Sequence, residues 1–335
     1  MKKVLIAIIF FYLTFYAFTN KIRIPGGRLA REGQFPFFVQ IEVPEIMYEE
    51  ITQPGIQIEA RYRGCGATLV HQQWILTSAH CFPDNHNRLK ELEVKKLCMC
   101  YLGSNTAFNA KAVKVPVVRI LLHPQYDLQK NPSGGITLLI NDIAVVKMEI
   151  KVALNSYIQT VALPSNIYRR KEDRRCRIGT ILGVGDANIL GVQSDHLQYA
   201  NVASKTGIEV SLPMFTSNTV FFSESYVDKG QAMRGDFGGP YVCYRPFSNE
   251  MIPFQYGVIS YIRLNKERRT VITAYEDVTK HLTFILKYVP GAVKQTKSGH
   301  IENVKTAEME KSNSKPKIRL SSFSVFICFG VFISN

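Results

Sequence analysis

Residues 65–81 read CGATLVHQQWILTSAHC, and this stretch indicates the fold more clearly than any other. Its two apolar runs, Ala67–Val70 and Trp74–Thr77, are short, rich in β-branched residues and bounded by turn signals. Similar runs occur at Pro36–Val43, Val117–Leu122 and Ile143–Met148. Many short strands with frequent Gly, Pro and Asn between them predict an all-β barrel or sandwich.

One segment, Asp277–Val289, has helical periodicity instead. Its apolar residues recur every three or four positions and predict one buried face. These residues are Val278, Leu282, Ile285, Leu286 and Val289. Pro290 then ends the helix, because proline cannot continue the hydrogen-bonding pattern.

The composition is that of a folded protein. The chain has 335 residues, of which 46% are hydrophobic and 20% charged. This length corresponds to about two domains or one large one. The composition excludes a wholly disordered chain and a collagen-like one.

The N-terminal end predicts secretion. Two lysines precede the unbroken apolar and aromatic run Val4–Phe18, and small residues follow near its end. This arrangement is typical of a secretory signal peptide, here residues 1–19, and the alternative is a membrane anchor that stays on the chain. A secreted chain would fold in an oxidising compartment where disulfides persist.

The C-terminal end differs from the middle of the chain. Residues 290–319 are polar and rich in lysine, which predicts a disordered stalk. Residues 320–335 are apolar again, and residues 312–314 (SNS) offer the small side chains that precede a lipid (GPI) anchor signal. One interpretation is therefore a lipid tether to a membrane, and the other is a merely apolar end or a short anchor helix.

The net charge of +14 is spread unevenly. Much of the excess in the middle of the chain comes from one basic segment, which predicts either a solvated loop or a surface for acidic glycans. Its basic residues are Arg169, Arg170, Lys171, Arg174, Arg175 and Arg177. Aromatic residues do not alternate with these charges, and this argues against single-stranded nucleic acid as a partner.

Five segments, in one order along the chain, resemble the trypsin-like (chymotrypsin family) serine proteases. They are residues 24–27 (IPGG) followed by 33–36 (GQFP), then 74–81 (WILTSAHC), 141–146 (NDIAVV), 235–240 (GDFGGP) and 275–278 (YEDV). The resemblance covers residues 24–289. It implies two six-stranded antiparallel β-barrels with the active site between them and a C-terminal helix.

The resemblance also implies a catalytic triad that is incomplete. His80 corresponds to the general base and Asp142 to the carboxylate that orients it, but Phe237 occupies the nucleophile position. A phenyl ring has no lone pair for attack, and loss of a triad nucleophile costs roughly 10⁶-fold in rate. The amides of Gly235 and Phe237 would remain as a remnant of the oxyanion hole.

The implied specificity pocket departs from the family as well. Gln231 lies at its base, where the family has an aspartate or a small neutral residue. Ser260 and Ile262 form its edge, and Ile262 replaces a glycine, so we expect a narrower mouth.

The resemblance further implies an activation bond. Cleavage of Arg23–Ile24 would remove the short propeptide 20–23 and free an amine that pairs with Asp236. Both partners of that ion pair are present, so we expect the conformational response to cleavage to survive.

The cysteines fit the same family. The resemblance implies the disulfides Cys65–Cys81 and Cys176–Cys243. Cys98 and Cys100 are two residues apart on a predicted strand, so their side chains share one face. Either both are buried thiols, or one of them forms a cross-link to another chain. Cys328, in the apolar tail, would leave with it.

Together these features predict a catalytically inactive serine protease homologue that acts through protein partners such as proteases, inhibitors or receptors. The alternatives are a divergent endopeptidase with residual activity and a glycan-binding module. The histidines other than His80 show no metal-ligand spacing, and no cofactor or metal is expected.

Overall fold

The described residues form fifteen strands and one C-terminal helix. The computed structural model describes residues 26–45, 61–82, 97–164, 177–186, 194–205, 218–227, 229–247 and 250–292. The predicted signal peptide, propeptide and apolar tail, and nearly all of the predicted stalk, lie outside these residues.

Within the described ranges, a short 3-10 turn, Ala79–Cys81, follows the strand Trp74–Thr77, and a helix follows the last strand. In chain order the strands are β1 (Arg28–Leu29), β2 (Phe38–Glu45), β3 (Arg61–His71), β4 (Trp74–Thr77), β5 (Met99–Leu102), β6 (Val113–Leu122), β7 (Asp127–Lys130), β8 (Ile136–Ile140), β9 (Ala144–Met148), β10 (Ile178–Gly183), β11 (Gln198–Lys205), β12 (Val220–Tyr226), β13 (Pro240–Phe247), β14 (Glu250–Asn265) and β15 (Thr270–Asp277), and the helix is α1 (Val278–Tyr288).

Two closed six-stranded antiparallel barrels confirm the predicted all-β class. The first barrel has the strand order β2-β3-β4-β9-β6-β5. The second runs β11-β10-β13-β14-β15-β12 and closes through a β11–β12 pairing, with β1 added beside β11. Strands β7 and β8 form a separate hairpin.

The strand bounds follow the apolar runs of the sequence. Strand β4 has the predicted bounds, and β9 begins one residue later than predicted. Strands β3 and β6 start several residues before their apolar runs, because backbone pairing continues where side chains are polar. Strand β2 begins two residues later than predicted and ends two residues later.

Three apolar clusters hold the barrels together. One fills the first barrel and includes Val39, Ile41 and Val146. A second fills the other barrel around Tyr241 and Tyr275. The third lies between the barrels and under the helix. Its buried members include Phe37, Trp74, Val258 and Leu282. The active-site segments therefore meet between two rigid bodies.

The helix begins where the sequence predicts. The Asp277 side chain caps it by accepting a hydrogen bond from the Thr279 amide at 3.0 Å. Its buried face differs from the prediction at one position, since Leu286 is 39% exposed. Phe284 and His281 are buried instead. No helix among the described residues is long and apolar enough to cross a membrane.

The cysteines of the first barrel follow the predicted pairing. Cys65 and Cys81 form a disulfide. Cys98 and Cys100 are free and fully buried. Burial raises the pKa of the Cys98 thiol to about 12 and raises the pKa of Cys100 as well.

We predict that Cys98 and Cys100 do not react in the native protein. A thiol must ionise and be reached before it can be alkylated, and burial opposes both. Native protein treated with iodoacetamide and mapped by mass spectrometry should carry no label on either residue, whereas protein unfolded without reductant should carry both. Labelling of either cysteine in the folded protein at the rate of a free thiol would contradict the burial.

Candidate active site

His80 is placed by the end of a strand and a disulfide. Strand β4 ends at Thr77, and the 3-10 turn that follows carries His80 at its centre. The Cys65–Cys81 disulfide ties this turn to β3. The Arg63 guanidinium donates to the carbonyls of His80 (2.9 Å) and Cys81 (2.7 Å), which satisfies carbonyl groups at the end of the turn.

Asp142 binds His80 through both carboxylate oxygens. Its Oδ1 accepts from the His80 backbone amide at 2.8 Å, and its Oδ2 lies 2.7 Å from His80 Nδ1. The Ser260 hydroxyl donates to Oδ2 at 2.6 Å. Asp142 is fully buried, and its carboxylate can only accept, so Nδ1 of His80 carries the hydrogen. Ser260 therefore contacts the same carboxylate oxygen as the His80 ring.

A second buried pair lies behind Asp142. Glu276 accepts from the Asp142 amide at 2.8 Å and lies 2.8 Å from Nε2 of His281. Glu276 is 0% and His281 2% exposed. Sequence reasoning missed this pair, because a glutamate in β15 and a histidine in α1 form no recognisable motif. The one signal was a glutamate immediately before a predicted helix cap.

His123 adjoins this pair. Its ring centroid is 5.2 Å from that of His281. Burial, with the nearby His281 as the smaller cause, lowers the pKa of His123 to about 4. His123 is therefore uncharged at neutral pH.

Phe237 contacts the His80 ring directly. The two ring centroids are 4.8 Å apart and the planes meet at 80°, an edge-to-face arrangement. Phe237 also packs against the apolar cores of both barrels. Its carbonyl accepts from the Gly66 amide at 2.8 Å, which joins the segment to β3.

Two backbone amides in the segment that carries Phe237 have no hydrogen-bond acceptor among the described residues. They belong to Gly235, which has a φ of 95°, and to Phe237 itself. Both residues line a cleft of about 630 Å³ between the barrels. Its other lining residues come from both barrels and include Tyr62, Arg63, Phe108, Asp186 and Arg234.

Asp236 is a buried carboxyl group held by backbone donors. It accepts from the Gly185 amide at 2.7 Å and the Met233 amide at 2.8 Å. Burial raises its pKa to about 7, although both amide bonds act in the opposite direction. Its expected partner at Ile24, and the bond after Arg23, lie outside the described residues.

The residues predicted to form the specificity pocket adopt inward positions. Gln231 is 2% exposed, and its Nε2 donates to the Val227 carbonyl at 2.9 Å. Its Oε1 has no hydrogen-bond partner among the described residues. Ile262 is half-buried and packs, like Phe237, against the core of the second barrel.

Two further expectations fall partly outside the described residues. Cys243 is disulfide-bonded, and its expected partner, Cys176, is not among them. The basic segment 169–176 lies outside them too, while Arg177 is exposed. Within the described ranges, no group of three or more His, Cys, Asp or Glu side chains is arranged to hold a metal ion.

Comparison with known protein families agrees with the barrels and the site geometry. The family described as Trypsin matches residues 24–285. The chain therefore belongs to the trypsin family.

We predict that Asp236 makes the intact protein less stable as the pH rises from about 4 to about 7. Its folded pKa lies above the ordinary value of 3.8, so the folded state binds its proton more tightly than the unfolded state. The contribution is up to about 4 kcal/mol at 1.36 kcal/mol per pKa unit. Urea unfolding across this pH range measures it, and Asp236→Asn should remove this component.

Asp127→Asn is the matched control, because Asp127 lies at the start of β7, where its carboxylate accepts an exposed hydrogen bond from the Gln129 side chain at 2.9 Å. It should leave the pH dependence close to that of the native chain. Equal pH slopes in native protein and Asp236→Asn would refute the assignment.

Proposed function

We propose that this chain is a pseudoprotease: a secreted or surface-tethered member of the trypsin family that binds protein partners and does not cleave them. The observation that carries the proposal is the Phe237 ring lying edge-to-face on His80. In this family's chemistry the imidazole removes a proton from a serine hydroxyl at that place. Phe237 offers no proton to remove and no lone pair to attack with.

The pocket supports the same conclusion. The Gln231 amide nitrogen donates to a backbone carbonyl, and its buried amide oxygen has no partner within the part of the chain that the structure describes. Ile262 adds a branched side chain at the edge where the family has glycine. Both changes oppose insertion of a substrate side chain, and a substrate that is not held near the reacting geometry reacts slowly.

The cleft supports a binding role. Phe108, in its wall, has a φ of 43°, a left-handed conformation that costs about 1–3 kcal/mol for a non-glycine residue. The Gln40 side chain accepts from its amide at 2.6 Å and holds it there. Gly64 leaves room for the ring, since a Cβ on that glycine would lie 2.5 Å from Phe108 Cζ. Strain of this kind persists where a surface is used, which favours the cleft as a partner site.

The partners we propose are proteases, protease inhibitors or receptors. The chain would act as a decoy or as a cofactor in a proteolytic cascade. Cleavage after Arg23 would then change the loops around Asp236 and the affinity for a partner, without creating activity.

A residual endopeptidase is the second candidate, and two observations favour it. His80 and Asp142 have the hydrogen bonds that a general base requires. The Gly235 and Phe237 amides have no acceptor among the described residues and remain available to an oxyanion.

We predict that the protein, intact or cleaved after Arg23, turns over no peptide or ester substrate. A panel of fluorogenic peptides and a fluorophosphonate probe for reactive serines measure this, and both should give the background level. Saturable amidase activity that His80→Ala abolishes would establish the second candidate instead.

We also predict that Phe237→Ser restores little or no peptidase activity, because Gln231 and Ile262 remain. The variant Phe237→Ser/Ile262→Gly is the matched comparison, since it also reopens the edge of the pocket. Robust turnover by the single variant, with native-like circular dichroism, would show that the pocket accepts substrates.

A further inference from the structure

Four strand ends form one open surface on the second barrel. Strand pairing places Arg263 opposite Ile272, and Ile272 opposite Glu224, so Arg263 and Glu224 share the outer face. Two residues further along, Asn265, Thr270 and Tyr226 form a parallel row on that same face. Lys205, at the end of β11, reaches this face and bonds Glu224 at 2.8 Å.

This surface contains a cavity of about 430 Å³. It is open to solvent at one end of the barrel, away from His80. Its lining combines two cations, one carboxylate, two aliphatic hydroxyl groups and one aromatic ring. The residues are Lys205, Arg268, Glu224, Ser225, Thr270 and Tyr226.

The turn between β14 and β15 concentrates positive charge beside the cavity. Arg263, Lys266, Arg268 and Arg269 are exposed, and Glu267 is the one acidic residue within 263–269. The structure adds Lys229, which is exposed and lies three residues after the end of β12 at Tyr226. The sequence does not show this cluster as a run, because three separate segments contribute to it.

Lys205 forms an ion pair with Glu224, whereas the cations of the turn form no such pair with a described residue. Glu224 is occupied by Lys205 and by the Thr270 hydroxyl, which donates to it at 2.8 Å. No ion pair joins Lys266, Arg268 or Arg269 to another described residue. The hydrogen bond from Lys205, with the Arg268 charge as a smaller cause, lowers the pKa of Glu224, so Arg268 already acts on that carboxylate. Lys266 and Arg269 are exposed and can approach an external anion.

The turn is also held in one conformation. Arg269 has a φ of 52°, which is uncommon for a residue other than glycine. Its carbonyl accepts from the Val227 amide at 3.0 Å, which fixes the turn against the end of β12. A fixed array of cations loses less entropy on binding than a mobile one.

We propose that this surface, defined by Lys205, Tyr226, Arg263, Lys266, Arg268 and Arg269, binds an acidic polysaccharide. Sulfate or carboxylate groups of the glycan pair with the arginines, for which a planar guanidinium is well suited. The exposed ring of Tyr226 supports a sugar face, and Thr270 lies beside it on the same face of the sheet.

A glycan fits this surface better than a nucleic acid does. Single-stranded nucleic acid needs successive aromatic platforms for its bases, and this surface presents one, Tyr226. The site is independent of the proposed lack of catalysis, because it lies on the outer face of the second barrel.

The test measures binding of a heparin octasaccharide to the full chain by calorimetry as a function of NaCl concentration. The triple variant Arg263→Glu/Lys266→Glu/Arg268→Glu should bind roughly tenfold more weakly, since three exposed ion pairs of usual strength amount to that factor. Its affinity should also depend less steeply on salt. Tyr226→Ala should weaken binding without changing the salt dependence.

The matched control is Lys111→Glu/Arg119→Glu/Lys151→Glu, which makes the same charge change at exposed positions of the first barrel. It should bind nearly as well as the native chain. An equal loss in both triple variants would show that only net charge matters and would overturn the site.

Two other outcomes would overturn the proposal as well. One is that Arg169→Glu/Arg170→Glu/Arg174→Glu abolishes binding while the turn variant does not, which would assign the glycan to the basic segment. The other is that a thymidine octanucleotide binds as tightly as the octasaccharide, which would leave a surface without preference for glycans.

Discussion

The fold depends on one buried carboxylate that both barrels satisfy. Asp142 accepts two hydrogen bonds from His80 in the first barrel and one from Ser260 in the second. Its own amide donates to Glu276, also of the second barrel. A buried charge without such partners is strongly destabilising, and removal of one partner of a buried pair typically costs about 3–5 kcal/mol. The barrels therefore meet in a single arrangement, and the geometry of His80 is retained because the packing of the whole molecule requires it. The proposed loss of catalysis is therefore compatible with a site that keeps its form.

Phe237 completes that arrangement from the other side. Its ring contacts His80 and reaches the cores of both barrels, and its carbonyl is bonded to Gly66. A serine there would make none of the apolar contacts. The substitution thus exchanges a reactive group for a packing group at the junction of two rigid bodies. A cleft remains open beside it and offers aromatic and charged side chains to a partner. The proposed loss of catalysis and the proposed binding role both depend on this ring and the cleft beside it.

The fold and most of the site geometry could be predicted, because the deciding residues lie in short local patterns. The runs at Trp74–Thr77 and Ile143–Met148 mark strands, and family resemblance carried His80 and Asp142 to one place. The pair Glu276 and His281 could not be predicted, because their contact depends on how α1 docks on the barrels. The prediction that Leu286 is buried was wrong for a similar reason. Helical spacing identifies one face of the helix, but it does not give the width of the surface that covers that face. The cationic turn of the second barrel likewise becomes a surface only when strand pairing brings distant segments together.

We infer that the Phe237 ring stabilises the folded protein through its contact with His80 and with the cores of both barrels. A double-mutant cycle of His80→Ala and Phe237→Ser, followed by the free energy of unfolding in urea, tests it most directly. We expect Phe237→Ser alone to lower that free energy by about 2 kcal/mol, as for a half-buried large side chain. The two changes should be coupled by about 1 kcal/mol, the usual worth of an edge-to-face pair. Phe237→Ser protein that is as stable as the native chain, with no coupling to His80, would contradict this account.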